Sequence, residues 1–422
     1  MEPAALDVAI AAVNFTLAAI FAGILGVWVY FLTYMTKSFR LAPRMDDYHY
    51  YPLAPANGGS DSKPKVSVIL PARNEEKYIA RCLDTLLAQD YPNFEVIAIN
   101  DNSTDRTGEI IQSYAVRDRR IVYVSTPAKP EGWAGKNWAC HQGYKKASGE
   151  YLFFTDADTE HAPDVMSLAV GRMLSEGLDA LTAIPRLLCN DFWTKVTLPA
   201  LSTFLHTRFS PLRVNDPKHK TGYFFGSFFV ITKKTYEAVG THEGVRQELV
   251  EDGALGNKVK AAGFRMKMVR GEKHVEAIWA RDFTTLWHGL RRLVIPLYHQ
   301  DHTGAHLIAV AVFFIMFAPF LFLGYTVPAF FALAANSGGL GGLSATILLG
   351  VHVATILMLL ATTAVQSKLG VMQSPAYALG SPLSGALIYL GFASAIVDAR
   401  KKGAVSWRDR QYTVSEKQNF LH

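Results

Sequence analysis

Asp156 and Asp158 stand one residue apart at the end of the apolar run Tyr151-Leu152-Phe153-Phe154-Thr155. In extended chain, residues two apart face the same side, so both carboxylates address one cation. Oxygen ligands of this kind suit Mg²⁺ or Mn²⁺. A cation held there is placed to neutralise a departing diphosphate. Two further polar clusters follow short β-branched runs: Pro71-Ala72-Arg73-Asn74-Glu75, and Asn100-Asp101-Asn102-Ser103-Thr104-Asp105. Any one cluster alone reads equally as a helix N-cap or a turn, where Asp, Asn and Ser are favoured. Three together, after the first, second and fourth strand-like runs, point to a ligand site. Lys136 follows Gly132-Trp133-Ala134-Gly135 and opens a helical stretch, where backbone amides suit phosphate. The glycine spacing is not that of a Walker loop, and a solvated lysine at a helix start is the competing reading. Glu251-Asp252 also precedes a helical stretch; taken alone, the pair reads as favourable N-terminal charge.

The elements that must position these residues alternate. Strand-like runs at 65–70, 94–100, 121–125 and 151–155 are interleaved with helical stretches at 76–87 and near 107–114. The alternation predicts an α/β fold, a mostly parallel sheet with helices on both faces. In such sheets ligands bind beyond the carboxyl ends of the strands, where all three polar clusters lie. No internal repeat or low-complexity tract is visible.

The 422 residues carry 42 Lys+Arg against 36 Asp+Glu, a net charge of +6, and 50% are hydrophobic. Residues 8–36 contain no charged side chain and 306–397 contain only Lys368. Both runs exceed the roughly 20 residues that span a bilayer, which excludes a purely soluble or a disordered protein. Basic residues in the central block are scattered among acidic ones, which argues for membrane-surface charge and against nucleic acid. Cys82, Cys140 and Cys189 suggest neither a disulfide framework nor a zinc site. The first apolar run is preceded by Glu2 and Asp7 and is too long for a signal-peptide core, so it reads as a span. Lys37, Arg40 and Arg44 follow it, and the positive-inside rule then places the central block in the cytoplasm.

Three apolar segments, 306–335, 343–365 and 377–397, close the chain. Three full crossings put Arg400, Lys401, Lys402, Arg408 and Arg410 opposite the central block, against the charge rule, so one segment is expected to be re-entrant or interfacial. The first, with Pro319 and Pro328, is the foremost candidate. The expected division is a span with its juxtamembrane turn at 1–40, a linker at 41–64, the α/β domain at 65–278, an amphipathic interfacial segment at 279–305, the apolar region at 306–398 and a basic tail at 399–422.

Within the amphipathic segment Phe283, Leu286, Trp287, Leu290 and Val294 fall at helical spacing. It can lie on the membrane and lend Arg291 or Arg292 to a diphosphate; an anchor on lipid phosphates is the alternative. A second aromatic stretch at 192–212 reads equally as interfacial or as a core helix. His299, His302 and His306 near Asp301 lack a recognised ligand spacing.

The motifs together resemble family 2 glycosyltransferases, inverting enzymes with a GT-A nucleotide-binding sheet, over about 65–292. The resemblance rests on Pro71-Ala72-Arg73-Asn74-Glu75, the turn at 101–105, Gly135-Lys136, Asp156-Ala157-Asp158 and Glu251-Asp252 opening Gly253-Ala254-Leu255-Gly256. Gly226-Ser227-Phe228-Phe229-Val230-Ile231 and the stretch 236–242 look like the branch that glycosylates carotenoids, hopanoids or other isoprenoid lipids. The resemblance implies that Pro71, Arg73, Asn74, Glu75 and Asp101 hold the base and ribose and that Lys136 lies near the nucleotide. It further implies that Asp158 carries the metal with Asp156 beside it and that Asp252 is the general base. Two departures stand out. Asn100 replaces a usual Asp, and the Gln-x-x-Arg-Trp motif of processive synthases is absent, the chain reading Trp287-His288-Gly289-Leu290-Arg291-Arg292. The expected function is transfer of a hexose from a nucleotide-sugar, taken as UDP-linked, to a lipid hydroxyl at the bilayer. A processive polysaccharide synthase and a catalytically silent nucleotide-sugar-binding scaffold are the alternatives. Inversion is one in-line displacement and asks for one base, unlike the carboxylate pairs of most glycoside hydrolases.

Overall fold

The computed structural model describes residues 3–47, 63–334, 339–402, 404–407 and 410–413. Of the expected linker only 63 and 64 at its end and 41–47 at its start are among them; 336–338 of the Gly-rich connection and Arg408 of the basic tail lie outside the described residues. The chain divides into two compact units. One contains Leu41–Leu188 and Phe209–Trp279, the other Met1–Arg40, Cys189–Arg208 and Ala280–Gly403.

The first unit is built on strands β1 (Val66–Ala72), β2 (Phe94–Asn100), β3 (Ile121–Ser125), β4 (Tyr151–Phe154), β5 (Thr159–His161), β6 (Ala180–Ile184), β7 (Arg186–Cys189), β8 (Phe229–Thr232), β9 (Met266–Arg270) and β10 (Val275–Ala280). Seven of them form one sheet in the order β3-β2-β1-β4-β8-β6-β9. All neighbours run parallel except β8, which is antiparallel to both β4 and β6. This is the mostly parallel sheet that the sequence pattern predicts, of the GT-A-like kind that the resemblance implies. A smaller sheet joins β5, β10 and β7.

The near-continuous apolar run of β1 reflects burial on both faces. Val66, Val68 and Leu70 pack with Ile79, Leu83 and Leu86 of the helix Ile79–Leu87. Ile69, on the other face, packs with Ile97, Ile99 and with Ala139 and Cys140 of the helix Gly135–Tyr144. The helix expected from 76 begins only at Ile79, because Tyr78 N and Ile79 N both donate to Glu75 O, and residues 75–78 serve the preceding turn.

Among the described residues, the second unit holds four helices long and apolar enough to cross a membrane: Leu6–Leu41, His302–Leu321, Leu340–Leu369 and Pro375–Arg400. The segment expected at 306–335 is split. A π-helical turn, Phe313–Phe317, precedes Pro319, and a shorter apolar helix, Leu323–Ala334, follows with Pro328 inside it. Proline at 319 has no N–H to give Ile315 O, the carbonyl four residues back. Trp28 Nε1 from the first span, a side chain with no exposed surface, donates to that oxygen at 3.0 Å. Asn14 ties the same span further, donating to Ser344 Oγ at 3.0 Å and accepting from Tyr325 OH at 2.9 Å. Each bond satisfies a polar group that hydrocarbon cannot.

The amphipathic stretch forms the helix Phe283–Gln300, started by a capping box between Asp282 and Thr285. Leu286, Leu290 and Val294 are buried within the unit, while Phe283 is exposed. The helical spacing is as expected; most of the apolar stripe faces protein. In the helix Phe192–Arg208, Val196, Leu198 and Leu201 are buried and Phe192 and Trp193 exposed, so it is a core helix with an aromatic end.

Candidate active site

The first two polar clusters meet as one stitched surface. Parallel pairing of Ala72 with Asn100 brings their loops side by side. Arg73 Nη1 donates to Asp101 O at 2.8 Å and to Asn102 O at 2.9 Å. Asn74 takes the left-handed conformation (φ 55°), in which its N–H donates to Ser103 Oγ at 3.1 Å and its Oδ1 accepts from Thr104 N at 2.9 Å. Asparagine tolerates that backbone better than most residues. Glu75 is buried, its N–H donating to Thr107 Oγ1 at 2.7 Å, and Asp101 is buried with Oδ1 accepting from Thr126 Oγ1 at 3.2 Å. Asn100 uses both halves of its amide. Oδ1 accepts from Ser103 N at 3.1 Å and Nδ2 donates to Tyr123 OH at 3.3 Å, a donation that an ionised Asp cannot make. Pro71 pairs with Ile99 on the sheet and needs no N–H there.

The third cluster lies past the end of β4 in a turn, Thr159 N donating to Asp156 O at 3.3 Å, and not in the extended chain expected. Ala157 and Thr159 are buried, and Asp156 and Asp158 are half-exposed. Burial, with Asp158 and Asp156 nearby, pushes the Cys82 thiol far up, so it stays protonated. The antiparallel β4–β8 pair then delivers the chain before β8 to this strand end, where Thr155 Oγ1 donates to Ser227 O at 2.9 Å.

Around that point the remaining charges converge. Lys136, in the first turn of Gly135–Tyr144, places Nζ 2.7 Å from Asp156 Oδ1 and 2.8 Å from Glu251 Oε1. Asp252 Oδ2 accepts from Gly226 N at 2.7 Å and Oδ1 from Gly253 N at 2.8 Å. Burial, reinforced by Glu251 and opposed by Lys136, pushes the Asp252 carboxyl up to about 6. A group with that value is largely charged at neutral pH yet basic enough to take a proton.

Gly226 is needed for close approach. A Cβ there would lie 2.8 Å from Asp252 Oδ2, 3.0 Å from Lys136 Nζ and 3.4 Å from Asp156 Oδ2. Asp252 is short and pinned by two backbone N–H groups, so it cannot yield cheaply. Gly226→Ala is therefore expected to misplace the carboxylate and lower turnover by about 10²-fold, the cost of an ångström-scale misplacement. Wild-type turnover by a folded Gly226→Ala protein would show the contact to be unimportant.

Among the described residues no group of three His, Cys, Asp or Glu side chains forms a cation cage. Asp156 and Asp158 are hard oxygen donors within one turn. That set fits Mg²⁺ or Mn²⁺ of the kind that keeps one or two carboxylates and takes its other ligands from water and phosphate.

Arg291 and Arg292 belong to the other unit. There Arg291 Nη2 forms an ion pair with Asp398, a partner that spacing along the chain did not suggest. His302 stacks on Tyr298 and His306 Nδ1 lies 2.7 Å from His302 O; the His299 side chain is outside the described residues. Sequence reasoning missed Glu251 as a member of the site and Gly226 as its floor. The adjacent acidic pair was the available signal for Glu251; for Gly226 it was the glycine preceding Ser227-Phe228-Phe229.

Residues 67–240 match the family model described as Glycosyl transferase family 2. The chain carries a family 2 glycosyltransferase domain. Two relatives illustrate the range of similarity. The glycosyltransferase GlyA of Streptococcus pneumoniae is 38% identical over 94 residues, 22% of this chain and 13% of that protein. The 4,4'-diaponeurosporenoate glycosyltransferase of Staphylococcus aureus is 28% identical over 229 residues, 53% of this chain and 59% of that protein. The chain thus covers less than two thirds of either relative. Two solved structures are similar to the chain. The mannosyltransferase PcManGT from Pyrobaculum calidifontis, in complex with GDP-Man and Mn²⁺, is 19% identical with TM-score 0.49, covering 92% of this chain and 99% of its own. Residues 1–349 of S. aureus TarS with UDP are 16% identical with TM-score 0.38, covering 83% and 97%.

Proposed function

We propose that this family 2 glycosyltransferase is a membrane-bound inverting enzyme. It moves one hexose from a nucleotide-sugar, UDP-linked in our reading, to the hydroxyl of a membrane lipid of isoprenoid or carotenoid type. The observation that carries the reading is the Asp252 carboxylate, held by two backbone N–H groups beside the Lys136–Asp156 pair. The stitched loops of Arg73, Asn74, Glu75 and Asp101 hold the base and ribose. Lys136 offers an ammonium to the diphosphate. Asp252 takes the proton of the acceptor hydroxyl as its oxygen bonds to the anomeric carbon; the bond to the diphosphate breaks, and its electron pair leaves with the nucleotide. A divalent cation held by Asp158 with Asp156 beside it supplies positive charge to the leaving diphosphate. The four apolar helices and the similarity to a 4,4'-diaponeurosporenoate glycosyltransferase support a lipid acceptor.

Incubating purified protein with UDP-hexoses and an isoprenoid lipid extract, followed by mass spectrometry, is expected to show lipids heavier by one hexose. Long polysaccharide as the product, or no transfer at all, would overturn the reading. Topology is a separate expectation. Lys37, Arg40 and Arg44 place the glycosyltransferase domain in the cytoplasm, so protease should spare it in intact right-side-out cells and cut it in inverted vesicles. The opposite pattern refutes that orientation.

A further inference from the structure

Lys136 sits on the carboxylate that the proposed function places beside a metal. Its Nζ is 2.7 Å from Asp156 Oδ1 and 2.8 Å from Glu251 Oε1. Glu251 is buried, only 7% exposed, and sits on the same helix as Asp252. The Lys136 ammonium thus lies between two carboxylates from different elements. Without it three carboxylates would crowd one site. With it, one oxygen of Asp156 is already engaged, and among the described residues no third acidic or imidazole donor completes a cation cage with Asp156 and Asp158. Two cations sharing one carboxylate repel each other, so a divalent ion arriving alone meets a half-occupied, incomplete set of ligands.

We propose that Lys136, anchored by Glu251, is a place-holding cation on Asp156, so that the divalent ion binds weakly to the protein alone and arrives together with the nucleotide diphosphate. The diphosphate brings the missing oxygens and at the same time a new anionic partner for the ammonium. Glu251 is a positioning residue in this arrangement: it keeps Nζ from resting wholly on Asp156. The inference rests on the metal-assisted reading above, but its consequence is a binding order that does not depend on sugar transfer. Metal and nucleotide must tighten each other's binding by the same factor.

Mn²⁺ binding to the full purified chain, followed by electron paramagnetic resonance, tests this directly. Wild type is expected to bind Mn²⁺ weakly alone and about 5- to 150-fold more tightly with saturating UDP or GDP, the usual range for coupled sites. Lys136→Met combined with Glu251→Gln removes the ammonium together with its anchor, so that no charge is left at Glu251 and Asp156 is released for the cation. That double variant is expected to bind Mn²⁺ alone at least about tenfold more tightly than wild type, and adding Asp158→Asn should abolish the gain. Glu251→Gln alone leaves the ammonium entirely to Asp156 and should weaken Mn²⁺ binding; a Glu251 that serves only packing would leave it unchanged. Equal Mn²⁺ affinity in wild type and the folded double variant overturns the proposal, as does unchanged affinity in Glu251→Gln should the double variant not fold. If the gain appears while wild type glycosylates no lipid, the binding order stands and the transferase reading falls.

Discussion

Asp252→Asn is expected to lower sugar transfer by about 10²- to 10⁴-fold, the usual worth of a general base, with nucleotide-sugar affinity nearly intact. The amide keeps the shape of the carboxylate but offers no site for the acceptor proton. It also has one acceptor oxygen where Asp252 has two, each now bound to a backbone N–H of Gly226 or Gly253. One of those N–H groups loses its partner, at about 1–3 kcal/mol, so stability must be measured beside the rate. The pH profile separates the two effects. Asp252 accepts a proton only when ionised, and its carboxyl is pushed up to about 6 by burial and Glu251. Wild-type rate should therefore rise with pH through about 6, and one unit below that roughly a tenth should remain. The residual activity of Asp252→Asn should lack this limb. Near-normal transfer by the variant would return Asp252 to a helix N-terminal charge, and Glu251 or Glu243 would be tested next.

Asp158→Asn should fail differently. Its carboxylate is half-exposed in the same turn as Asp156, and its proposed role is to hold a cation and not a proton. Neutralising it should weaken Mn²⁺ and donor binding together, raising KM for the nucleotide-sugar as well as lowering kcat, and excess Mn²⁺ should restore part of the loss. Excess chelator should silence wild type. Full turnover in chelator, or a kcat defect in Asp158→Asn that added Mn²⁺ does not touch, would remove the metal from the mechanism.

How far these residues were legible follows from the range of the interactions involved. Phe94–Asn100 and Ile121–Ser125 have the expected bounds, because each is a short apolar run between polar turns, a purely local signal. Asp156 and Asp158 were legible as a neighbouring carboxylate pair, but the strand stops at Phe154 and the turn that follows sets where they point. The reversed direction of β8 was not legible, since nothing within Phe229–Thr232 states which neighbours it meets. That reversal brings Gly226 to Asp252, and the fold brings Lys136 to Glu251 across more than a hundred residues. The helix Phe283–Gln300 shows the limit from the other side. Its period was readable, but a period does not say whether protein or lipid lies against the apolar stripe.

The bond from Trp28 to Ile315 O has a bearing on how the chain is built. The first span leaves the ribosome nearly three hundred residues before the carbonyl it completes, and the whole glycosyltransferase domain is synthesised in between. Until then Asn14 waits in the bilayer without Ser344 or Tyr325. Biogenesis therefore passes through a stage in which the finished glycosyltransferase domain follows a helix whose later partners are not yet made. Chains cut short before the last helices would expose that helix's polar residues to lipid, a feature by which quality control could distinguish them from the complete protein.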